Sequence, residues 1–307
     1  MFLPIALYKQ PASSPTTAYD PLVWATTGNG PRGITIDSLD NVYTANFDSN
    51  SITKVTSTGA VTSSWATTGA GPTWIAIDFN DAVFTSNLTA KTITKVTTGG
   101  AVTTIWATPT GIGPQGIATT KVSNPYAVYT ANNVSNSITK VSILRATTSS
   151  WATTGAIPYG IALDSSYNVY TANQGDNTIT KVSPAGAVTA SWATTGASPT
   201  GIAIDSLGNV YTSNITSRTI TKVSPAGAVT ASWATTGANP YGIAIDSLGN
   251  VYTSNYTDNT ITKVSPAGVS TTPWATTGNG PFGIAIDSLD NVYTANNGSN
   301  TITKITV

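Results

Sequence analysis

Apolar positions in this chain fall in short runs separated by polar turns, and the arrangement recurs along its length. From Trp192 onward the runs are Gly201 to Asp205, Val210 to Asn214, Thr219 to Val223 and Ala228 to Ala234. The first is continuously apolar, as expected of a strand covered on both faces. The second is β-branched and aromatic, which suits a strand. Between them Ser206-Leu207-Gly208-Asn209 has the Gly and Asn that tolerate positive φ. A variable loop, Ile215 to Arg218, precedes the third run, and Ser224-Pro225-Ala226-Gly227 precedes the fourth. No segment combines helical periodicity with helix caps. One unit is therefore four short antiparallel strands.

The unit repeats at a fixed period. Trp24, Trp65, Trp106, Trp151, Trp192, Trp233 and Trp274 are spaced 41, 41, 45, 41, 41 and 41 residues apart. Four strands in that length is one propeller blade. The first strand, with Gly and Ala between its Ile residues, is expected nearest the axis, where space is scarce. The fourth carries the Trp and is expected at the rim, filling the outer wedge between blades. Inner strands begin at Gly33, Trp74, Gly116, Gly160, Gly201, Gly242 and Gly283. The last repeat stops after its third strand, at Val307, whereas residues 18–24 match a fourth strand. The prediction is an all-β, seven-bladed β-propeller of four-stranded antiparallel blades. Its N-terminal strand completes the last blade, which leaves no open edge. Residues 1–17 form a non-repeat arm and residues 18–307 the propeller.

One repeat is irregular. It has four extra residues, one before its inner strand at Pro109 and three in its first turn, Thr119 to Pro125. That turn lacks the Asp of the other six. The expectation is an insertion tolerated at a loop tip, with a docking loop as the alternative.

Composition narrows the function. The 307 residues carry 13 basic and 13 acidic groups, no His and no Cys, and every acid is Asp. Without clustered Lys and Arg, nucleic acid is not an expected partner. No run approaches a membrane helix, so membrane insertion is not expected. The start, MFLPIALYKQ, is a poor secretory signal. Its apolar residues Phe2, Leu3, Ile5, Leu7 and Tyr8 are expected to lie against the propeller's own rim or a neighbouring molecule.

The recurring polar residues read as structural. The Asp ending each inner strand (Asp37, Asp78, Asp164, Asp205, Asp246, Asp287) begins a turn, and Asp40, Asp81 and Asp290 replace a turn Gly. The Asn ending the second strand and the Lys of the third occur in all seven repeats. A site should instead break the repeat. The position after the Pro that opens each inner strand varies, as Arg32, Thr73, Gln115, Tyr159, Thr200, Tyr241 and Phe282. It should ring one mouth of the axial channel, with Trp74 beside it. Aromatics with a few polar groups suit a sugar or a peptide; the alternative is that they plug the mouth. The neighbouring loops add Phe47, Asp48, Lys91, Asp176, Arg218, Tyr256 and Asp258. Their isolated Asp residues do not form a calcium set. Asn-x-Ser/Thr occurs at Asn87, Asn133, Asn214, Asn255 and Asn297 and is expected to be unmodified.

The phrase P-x-G-I-A-I-D-S-x-G-N-V-Y-T-x-N, as at Pro240 to Asn255, resembles the NHL-type propeller repeat and most resembles the branch containing streptogramin B lyases. That resemblance covers residues 18–307. It implies metal-assisted catalysis by His and Glu at the channel mouth, and this chain has neither residue. RNA-binding NHL relatives use a strongly basic face, for which Arg32, Lys91 and Arg218 are the candidates here. The expected function is therefore a non-catalytic structural or interaction protein without cofactor or metal. It would be displayed on a virion or an extracellular layer and joined to other protein subunits, with its arm as one route. The alternative is a glycan- or peptide-binding module, and the remote alternative a lyase-type enzyme.

Overall fold

In the computed structural model, the described residues are 23–108, 112–124, 126–142 and 146–307. They form 28 strands in seven four-stranded antiparallel sheets. Blades 1 to 6 are each built from consecutive strands. Blade 1, for example, uses Pro31–Ile36, Val42–Asn46, Ser51–Val55 and Val61–Thr67 from axis to rim. Blade 7 takes its rim strand, Val23–Thr26, from the other end of the chain, paired with Thr301–Ile305 through Val23↔Thr303 and Ala25↔Ile302. The predicted architecture and ring closure are both present. The arm, with Phe2, Leu3, Ile5, Leu7 and Tyr8, lies outside the described residues, as do Pro109 and Pro125.

The second strand of every blade is buried along its whole length, with Val, Tyr or Phe, and Asn enclosed. Among the described residues, seven apolar clusters alternate with the blades. One joins Tyr43, Ile52 and Ala66 of blade 1 to Ile75, Ile77, Val83 and Val96 of blade 2, with Trp65 packed on it. The repeated Trp also packs against its own blade's second-strand Tyr, with centroids 5.1 Å apart for Tyr43 and Trp65. The third-strand Lys lies over both rings, Lys54 Nζ being 5.3 and 5.5 Å from their centroids. The repeated Lys thus covers apolar rings with its stem while its charge faces the π-systems.

Glycine at the start of the inner strand permits the strands to converge. A Cβ on Gly116 would come within 2.6 Å of the Tyr159 carbonyl oxygen, and one on Gly283 within 2.5 Å of that of Arg32. Only a residue without a side chain fits there. Trp74 breaks this rule in blade 2, and its ring therefore goes into the axial space.

Candidate functional site

The mouth predicted from the variable position is occupied by its own side chains. Tyr241 and Phe282 stack at 4.4 Å with 23° between their planes. Tyr256 meets both rings edge-on, at 5.4 and 6.3 Å. Trp74 reaches Phe282 from blade 2, with centroids 6.0 Å apart. The guanidinium of Arg32 lies 3.5 Å from the centroid of Phe47 and 5.9 Å from that of Phe282. Burial pushes the phenols of Tyr159 and Tyr241 upward; Arg32 opposes this at both. Beneath these rings the channel narrows to a cavity of about 70 Å³ lined by Trp74, Ile117, Ile161 and the inner-strand glycines.

Not every residue of the predicted ring faces this cap. Arg32, Trp74, Tyr159 and Tyr241 are half-buried and Phe282 is buried. Thr73, Gln115 and Thr200 are also buried. The Thr73 hydroxyl donates to the carbonyl oxygens of Ser86 and Gln115, and that of Thr200 to those of Ser213 and Tyr241. Both tie one inner strand to the next. Among the described residues, the Trp74 Nε1 and Gln115 Oε1 atoms are enclosed without a hydrogen-bond partner.

The surrounding polar residues serve the loops. Asp176 accepts from the Ala156 N–H and the Thr178 hydroxyl, and Asp258 from the Ala238 N–H. Asn50, Asn136, Asn177, Asn259 and Asn300 have left-handed backbones, and each accepts an N–H from the following blade's loop. Lys91 and Arg218 stand at the same left-handed position and are exposed. Beneath the loops each second-strand Asn is locked. Asn214 accepts from Thr212 and donates to Thr219 and Thr221, fully buried. Among the described residues, no three His, Cys, Asp or Glu side chains come together. This donor set does not fit a catalytic divalent metal, which takes several converging oxygen or nitrogen ligands.

The larger cavity, about 600 Å³, is at the opposite end of the inner strands. Its lining draws on the irregular repeat, with Ile117 to Val122, on Ile75 to Ile77 of blade 2 and on Leu163 to Ser165 and Tyr167 of blade 4. Here the symmetry breaks most. In blades 1, 4, 5, 6 and 7 the turn Asp accepts from an Asn side chain and from its own blade's Tyr hydroxyl, as Asp37 does from Asn41 and Tyr43. Blade 2 has Ala82 and Phe84 at those places, and Tyr126 of blade 3 donates to Asp78 instead. Blade 3 has Thr120 in place of the Asp, and Lys121 follows it. The Lys121 ammonium donates to the Ile77 carbonyl oxygen. The Asp loss and the insertion are visible in the sequence. Their effect is not, because it depends on which neighbours meet at the channel's end.

Residues 19–305 match the family described as the virginiamycin B lyase family. The chain belongs to that family. Among solved structures, a streptogramin B lyase is 16% identical with a TM-score of 0.75, over 90% of this chain and 93% of that one. A catalytically inactive His-to-Ala variant of the virginiamycin B lyase from Staphylococcus aureus, with quinupristin, is 17% identical with a TM-score of 0.74, over 92% and 96%. The hydrazine synthase of Kuenenia stuttgartiensis is 15% identical with a TM-score of 0.68, over 98% and 99%. At such identities these likenesses show the fold alone. No curated protein matches the sequence.

Proposed function

We propose that this member of the virginiamycin B lyase family is a non-catalytic interaction propeller, held on the surface of a larger assembly such as a virion or an extracellular layer. Other protein subunits are its partners, and the apolar residues of the arm at 1–17 are its route of attachment. The observation that carries this reading is the filled mouth. Tyr241, Phe282, Trp74 and Arg32 pack on one another where a substrate would enter. The sequence adds support. The inactive lyase variant has lost a His, and this chain contains no His at all. No side chain other than a perturbed one would titrate near neutrality here. The test is to incubate the purified chain with quinupristin and Mg²⁺ and follow the compound by mass spectrometry. No conversion is expected; conversion that a chelator abolishes would overturn the reading.

A second reading rests on Tyr159, Tyr241 and Arg32, which keep a minor part of their surface exposed at the cap and suit a sugar ring or a peptide. Substituting Tyr159 and Tyr241 by Ala in a glycan-binding screen separates the two. Assembly unaffected with glycan capture lost favours recognition; no capture by either protein favours the structural role alone.

A further inference from the structure

We propose that a crescent of exposed leucines, on the face opposite the aromatic cap, is the docking surface for the apolar arm residues of a second copy of this chain. The proposal rests on the reading of the arm as the route of attachment, and it names what the arm attaches to.

Leu39, Leu207, Leu248 and Leu289 follow the Ser in the turn between the first and second strands of blades 1, 5, 6 and 7. Their exposures are 71, 78, 76 and 74%. These four blades are neighbours in the closed ring. The same place is Asn80 in blade 2 and Ser166 in blade 4, and blade 3 has its insertion in this turn. The leucines therefore fill one side of the face and are missing from the other. Adjacent turns touch. Ser247 donates to Asp290 and Ser288 to Asp40, which sets the turns of Leu248, Leu289 and Leu39 side by side. The exposed Pro225 and Pro266 stand beside Gly208 and Gly249 and extend the apolar surface of blades 5 and 6. Single exposed leucines are ordinary, but a contiguous apolar patch marks an interface.

The chain's own course indicates what covers it. In the rim strand of blade 7, Val23 lies opposite Thr303 and Thr26 opposite Thr301. Beyond Thr303, Ile305 pairs with Val292, which directly follows the Leu289 turn. Val23 thus enters blade 7 from the leucine face, within the crescent. Residues 9–22 can bridge up to about 50 Å, so the apolar residues of the arm can reach a facing copy. Residues 1–8 carry no charge, and nothing before Asp20 is acidic, so the arm buries no ion among the leucines and does not repel Asp40 and Asp290. The crescent and the arm together supply about the apolar half of a standard interface of roughly 20–30 residues a side. Each copy gives its arm and receives its partner's on one face, so two copies close on each other about a two-fold axis.

The test is light scattering over a concentration series of the full chain and its variants. Leu248→Ser with Leu289→Ser places in two turns the residue that blade 4 already has there as Ser166, so the fold is kept. This variant should weaken association by about tenfold or more, as should Leu3→Ser with Ile5→Ser in the arm. Val134→Ser, at an exposed apolar residue on the cap face, should leave association unchanged. Mixing the crescent variant with the arm variant should restore a heterodimer, because one intact arm then meets one intact crescent. Association of the crescent variant at parental strength would overturn the crescent and leave the arm's role standing. Association of the arm variant at parental strength would overturn both, as would a monomeric parent. Two weakened variants that form no heterodimer when mixed would overturn the pairing of arm with crescent.

Discussion

Ser288 donates both its backbone N–H and its hydroxyl to the carboxylate of Asp40, at 3.0 and 2.6 Å, joining blade 7 to blade 1. Ser247 binds Asp290 in the same way between blades 6 and 7, and Ser38 binds Asp81 between blades 1 and 2. Each Asp stands where blades 5 and 6 have Gly208 and Gly249, and each keeps the left-handed backbone, with φ of 59°, 64° and 57° for Asp40, Asp290 and Asp81. A side chain is disfavoured there by about 1 kcal/mol or more. The three locks are consecutive and bracket the blade in which the two ends of the chain meet.

Strain and bond can be separated by substitution. Asp40→Ala loses the inter-blade bonds and keeps the strained backbone, so it should lower stability by about 1–2 kcal/mol. Asp40→Gly loses the same bonds but relieves the strain, and should fall within about 0.5 kcal/mol of the parent. Urea denaturation of the two variants checks the order.

The turn carboxylates and phenols make stability depend on pH at both ends. Burial raises the Asp205 pKa, but hydrogen bonds from Asn209, Tyr211 and Leu207 outweigh it and leave it below the usual range. Bonds from Ser247 also hold Asp290 low. A depressed carboxyl stabilises the fold above its unfolded value, and that stability is lost as pH falls through the folded value, below about pH 4. Burial, with the Asp205 carboxylate, pushes Tyr211 up, and burial pushes Tyr129 to about 12. Raised phenols contribute fully below their unfolded value of about 10, and the contribution is lost as pH rises through the folded one. Melting temperature against pH should therefore be flat near neutrality and fall on both sides. Asp290→Asn should blunt the acid limb.

Asn214 is fully buried and bonded to three hydroxyls. Asn214→Ala strands those hydroxyls in a closed space and should cost about 2–4 kcal/mol. Its surface-exposed loop neighbour Arg218→Ala should cost under about 0.5 kcal/mol. Denaturant midpoints of the pair decide whether the repeated Asn is structural.

Lys222 Nζ lies 5.4 Å from the Tyr211 centroid and 5.3 Å from that of Trp233. Lys222→Met keeps the apolar stem and removes the charge, so the loss should be about 0.5–1 kcal/mol. A larger loss in Lys222→Ala would assign the remainder to stem packing.

The period of the Trp residues made the blade count and the ring closure legible, because each repeat supplies the same strands in the same order. The roles of Asp37 and Asn46 were legible for the same reason: residues present in nearly every blade serve the blade. What the sequence did not display was contact between repeats. Asp40 reads as a turn residue until Ser288 is placed beside it. Nor does the sequence show that Tyr126 donates its hydroxyl to Asp78 of the preceding blade, which lacks its own Tyr and Asn. The variable position, from Arg32 to Phe282, was legible as one that breaks the repeat. However, a single position per repeat could not reveal that Thr73, Gln115 and Thr200 turn inward while Tyr241 and Phe282 stack.

Attachment to a larger assembly through the arm is checked by solution mass, measured by light scattering. The full chain and a chain beginning at Ala18 would be compared at the same concentration. A higher-order species is expected for the full chain and a monomer for the shortened one. A monomer in both would contradict it.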